Sequence, residues 1–175
     1  MSATDERTKF LHIYLQDHLA GATAGSRRAT RLADAEADSE DAAALSKFAA
    51  DVAADRDALL ALMEASGVEP SRLKGALAYA AETLGALKLN GRIVQRSPLS
   101  TIVELEAMEM AVRGKRSLWE SLQIAMPLPL PVDLDALIVG ADEQLEVLSD
   151  LHAGRAARTF SVQPIGANPT LDVRV

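Results

Sequence analysis

Whatever chemistry this chain has rests on three histidines and a few charged residues that fall where a core is expected. His18, Arg56, Lys115 and His152 each lie on the apolar stripe of a helical segment, at steps of three and four residues. Asp55 and Glu104 lie on the flanks of two of those stripes. His18 and His152 with Asp55 and Glu104 make a nitrogen–oxygen set of the kind that holds a divalent metal. His18, Arg56 and Lys115 make a basic set suited to a small anion lodged between helices. The two readings compete, because Arg56 and Lys115 repel a metal at close range unless their charged heads reach outward. A plainer reading pairs Arg56 and Lys115 with Asp55 or Glu104 as ion pairs that give register rather than stability. It leaves His18 as a hydrogen-bonded core histidine, and His152 as a group that favours the negative end of its helix.

No catalytic residue can be assigned and no cofactor is expected, so whether the chain is an enzyme stays open. With no cysteine there is no thiol nucleophile, thiolate zinc or iron–sulfur centre. Gly21 and Gly25 are not followed by the Gly-Lys-Ser/Thr of a phosphate loop, and no nucleophile-elbow motif occurs. The small-xxx-small spacing of these two glycines predicts a close helix crossing. Arg27, Arg28 and Arg31 read as cations near a helix C-terminus.

The elements that must position these residues are helical. The chain has 175 residues, with 49% hydrophobic, 25% charged and only 3% aromatic side chains, which suits one packed domain rich in alanine and leucine. Periodicity and end signals predict helices over residues 4–34, from about 40 to 66, 71–88, 98–123 and 134–158. Ser39, Ser97 followed by Pro98, and Asp133 are expected N-caps, and Gly67 is an expected stop. The acidic run from Asp34 to Asp41 reads as a solvated, outward-facing stretch that suits a helix start. Met126–Val132 is a proline-stiffened connector, and residues 159–175 form an extended apolar tail suited to docking on a surface.

Short loops make two antiparallel hairpins, and a long connection over 67–97 with its own helix joins them. In helix lengths and crossover position, residues 4–158 resemble the ferritin-like four-helix-bundle superfamily. Tyr14 to Gly21, Lys88 to Arg92 and Ser97 to Ser100 look like a bacterial branch of it. The resemblance implies an all-α fold, with a ferritin-like bundle over 1–158 and a tail over 159–175. The family's di-iron site takes carboxylates from all four helices and a Glu-x-x-His on two of them. Here the residues three before His12, His18 and His152 are Lys9, Leu15 and Ser149, so that motif is missing throughout. The expected role is therefore that of a non-enzymatic structural or protein-interaction bundle without the usual centre. The alternatives are a metal-dependent oxidoreductase with unorthodox ligands and a small-anion binder.

A net charge of −7 argues against nucleic acid and anionic lipid as partners, and no stretch is apolar enough to span a membrane. The polar N-terminus and the missing cysteines point to the cytoplasm. Leu99, Val103 and Met110 form a second apolar side on the 98–123 helix, which either the crossover covers or a homodimer buries. The tail is a candidate contact for another protein.

Overall fold

The computed structural model describes residues 3–70, 97–126 and 129–161. The expected helix at 71–88, most of the 67–97 crossover and the tail from residue 162 lie outside the described residues. Four helices make up the rest: α1 (Ala3–Ala35), α2 (Ala42–Ala65), α3 (Pro98–Ala125) and α4 (Leu134–Phe160). Among the described residues, none of the helices is long and apolar enough to cross a membrane.

The helix ends follow from local chemistry. Ser97 Oγ accepts the Leu99 amide at 3.3 Å with Pro98 behind it, and Asp133 Oδ1 accepts the Ala136 amide at 3.1 Å. Gly67 adopts φ +66, which lets Val68 N–H reach Met63 O at 2.8 Å and Gly67 N–H reach Glu64 O at 3.0 Å. Those two bonds close the end of α2, and Val68 then folds back into the core. The start of α2 differs from expectation. Its N-cap is Asp41, whose side chain makes no capping bond, while Ser39 accepts the Asp41 amide at 3.2 Å within the preceding turn.

Cross-contacts fix the helix directions. Thr101 at the start of α3 meets Glu36 just past the end of α1, and Tyr14 near the start of α1 meets Ser121 near the end of α3. Arg155 near the end of α4 meets Asp41 at the start of α2. So α1 is antiparallel to both α2 and α3, α4 is antiparallel to α3, and α2 and α3 run the same way. The end of α2 and the start of α3 therefore stand at opposite ends of the bundle.

Two apolar clusters fill the interior. One joins Leu32, Phe48, Leu105 and Leu148 at the end where α1 finishes. The other joins Leu15, Leu62, Trp119 and Leu134 at the end where α1 begins. Asp55 on α2 and Lys115 on α3 fall between residues of one cluster and residues of the other.

Candidate functional site

The polar layer is built from one residue on each of three helices. Asp55 of α2 and Gln144 of α4 are buried, and the Lys115 side chain of α3 is 14% exposed. Each lies three or four residues from core positions on its own helix: Asp55 from Val52 and Leu59, Lys115 from Val112 and Leu118, Gln144 from Ala141 and Leu148. The Lys115 ammonium donates to Asp55 Oδ2 and to Gln144 Oε1. Gln144 Nε2 donates to the same Asp55 oxygen at 2.9 Å, closing the triad. Burial pushes the Lys115 ammonium below its ordinary pKa, and Asp55 only partly offsets that shift.

A cavity of about 260 Å³ adjoins this layer among α1, α2 and α3. Phe48, Val52, Leu59, Met108, Val112 and Leu118 supply most of its apolar wall, and Asp17, His18, Asp55, Arg56 and Lys115 supply the polar part. Gly21, Gly25 and Gly114 also line it. A Cβ at any of the three would meet no atom of the described residues within 4 Å. Among the described residues no helix makes the expected close crossing at Gly21 and Gly25, and these glycines leave a stretch of wall without side chains, exposed at Gly21 and Gly114. Because no described residue crowds this position, Gly21→Ala is expected to stabilise the fold by about 1 kcal/mol through helix propensity alone, read as a raised urea midpoint. A loss of stability would show that something does approach this face.

His18 sits half-buried on the cavity wall, its ring edge-on to Tyr14 with centroids 4.5 Å apart. Burial lowers its pKa, against a smaller opposing pull from Asp17. Below its ordinary value of about 6.5 the unfolded chain takes a proton that the folded chain refuses. Stability from this group is thus complete above that value and lost as pH falls through the lowered one. His18→Gln should flatten the fall in urea-measured stability just below pH 6.5. An unchanged slope would show that other groups set it.

No family model, no curated protein and no solved structure matches this chain. The site therefore has to be read from its own geometry. His18, Asp55, Arg56 and Lys115 come together around one cavity. Arg56 stands at the rim rather than within: its guanidinium holds Asp57 at 2.7 Å and its side chain is 35% exposed. Asp55, expected on the flank, is the buried member of the two. His152 lies elsewhere, with Nε2 3.3 Å from Glu106. Glu104 is half-buried, 11 positions before Lys115, about 16 Å along α3. Among the described residues no three His, Asp or Glu side chains gather as a metal-holding group.

Sequence reasoning passed over Gln144, although its spacing from Ala141 and Leu148 was a usable signal. It also misplaced part of the acidic run. Glu36 is buried and the Asp41 side chain is 15% exposed; both hold Arg155.

Proposed function

We propose that this chain is a cytoplasmic, ferritin-like bundle that works by binding a small molecule, without the family's di-iron centre. The ferritin-like assignment is supported by the parallel course of α2 and α3, whose facing chain ends stand at opposite ends of the bundle. That is the connectivity of two hairpins joined by one long crossover. Against the di-iron chemistry stands the centre itself, where Lys115 places an ammonium on Asp55, the only carboxylate of the polar layer.

The observation that carries the binding reading is the glycine-lined cavity beside that layer. An apolar hollow with a few convergent polar groups is the usual form of a small-molecule site, and this one is near the small end of the range. Filling it tests the reading. Gly25→Leu projects a side chain into the space without meeting an existing atom at Cβ. The wild-type chain should gain thermal stability from small apolar probes such as benzene and indole, and Gly25→Leu should fold but lose the gain. Probes that leave the wild-type Tm unchanged would end the binding reading.

Self-association is a second reading, favoured by α3. Leu99 is 50% exposed and Met110 69%, on the same outward side as the half-buried Val103. Light scattering should give a dimer mass that Met110→Lys reduces to a monomer. A wild-type monomer would remove it.

A further inference from the structure

We infer that the ligand of this cavity is a short apolar molecule of about ten heavy atoms ending in one carboxylate, which Lys115 receives. This rests on the binding reading above and adds the chemical class. Size comes first. An apolar cavity of 150 Å³ accepts benzene, so about 260 Å³ accommodates a chain or ring with some four more heavy atoms. The side chains of Phe48, Val52, Leu59, Met108, Val112 and Leu118 offer that body no hydrogen-bonding group and thus favour hydrocarbon.

The head group follows from which hydrogen bonds are already made. An ammonium has three donors. Lys115 gives one to Asp55 and one to Gln144, and the third has no acceptor among the described residues. Trp119 also lines this cavity. The unmet demand is therefore for acceptors. Asp55 has its Oδ2 shared by two donors, so a cationic head would have to compete with Lys115 for it. An anionic head instead completes the solvation of an ammonium that burial holds below its ordinary pKa. Arg56, paired with Asp57 at the rim, puts a guanidinium beside the approach, where Asp17 also lines the cavity, so the head group is set by Lys115.

The test is a head-group series at constant chain length: octanoate, octan-1-ol and octylamine, titrated below their micelle concentrations at pH 7.5 into the wild-type chain. Trp119 is the only tryptophan, so its emission reports occupancy directly. Octanoate is expected to bind at least tenfold tighter than octanol, and octylamine more weakly than either. Lys115→Met should bring octanoate down to the octanol level while octanol binding is kept. Gly25→Leu should abolish both, which separates cavity binding from surface adsorption. The wild-type series decides the matter even if Lys115→Met fails to fold. Octanol or octylamine binding as tightly as octanoate would overturn the carboxylate assignment and leave the binding reading standing. If none of the three binds while benzene or indole still does, the carboxylate assignment again fails alone. If no probe of either kind binds, both fall together.

Discussion

Lys115→Met is expected to lower folding stability by about 3–5 kcal/mol, measured by urea denaturation at pH 7.5. The size comes from what is left behind rather than from what is removed. Asp55 would keep its bond from Gln144 at 2.9 Å but lose its only cation among the described residues, with 11% of its side chain exposed to share the charge with water. Adding Asp55→Leu and Gln144→Leu removes every polar group of the layer together. The triple variant is expected to recover most of the loss or to exceed the wild-type chain, since well-packed apolar residues often replace a buried ion pair at no cost. Asp55 and Lys115 stand between two apolar clusters on their helices, so the triple variant would join those clusters into one uniform core. Its specificity is expected to suffer even where its stability does not, visible as broader amide resonances. A single-variant loss under 1 kcal/mol would mean that the ammonium and carboxylate are solvated in solution and the layer is not a dry one.

What could be read in the sequence depended on how local the cause was. Ser97 with Pro98, Asp133 and Gly67 act within three or four residues of themselves, and each does in the fold what its type predicts. Choosing between Asp55 and Arg56 is different. Both neighbour Val52 and Leu59 on the stripe of α2, and a helical wheel separates them by only about 100°. Which of them turns to the bundle centre depends on where α3 and α4 place Lys115 and Gln144, and α2 alone does not encode that. Gly21 and Gly25 show the same limit. A missing side chain is visible in the sequence, but whether a neighbour fills the space or leaves a cavity is set by the other helices. The acids from Asp34 to Asp41 were read by composition as a solvated stretch. Composition says nothing about an arginine more than a hundred residues away that selects two of them.

That arginine carries the second large effect. Arg155→Leu is expected to cost about 3 kcal/mol, because one side chain clasps three parts of the chain. Its NH2 nitrogen reaches Glu36 Oε2 at 2.8 Å and Asp41 Oδ2 at 2.7 Å. Glu36 in turn accepts the Thr101 hydroxyl at 2.7 Å, which brings the start of α3 to the turn between α1 and α2. Arg158 holds Asp41 at 2.8 Å and also meets Glu40. Leucine in place of Arg155 would take from Glu36 and Asp41 the cation they share, and Glu36 is buried enough that water does little to replace it. Arg155→Lys is expected to recover only part of the loss, since the lysine ammonium stops short of the terminal guanidinium nitrogen that holds both carboxylates. The exposed Lys47–Asp51 pair is the control. Lys47 is 73% exposed there, and Lys47→Ala should change stability by no more than about 0.5 kcal/mol. An Arg155→Leu loss no larger than the Lys47→Ala change would show that the clasp is surface decoration. The clasp and the cavity also separate by position. Glu36 lies 11 residues beyond Gly25 of the cavity wall, about 16 Å along α1, and Asp41 lies seven before Phe48, about 10 Å along α2, so Arg155→Leu should lower the Tm while leaving the probe-induced gain intact.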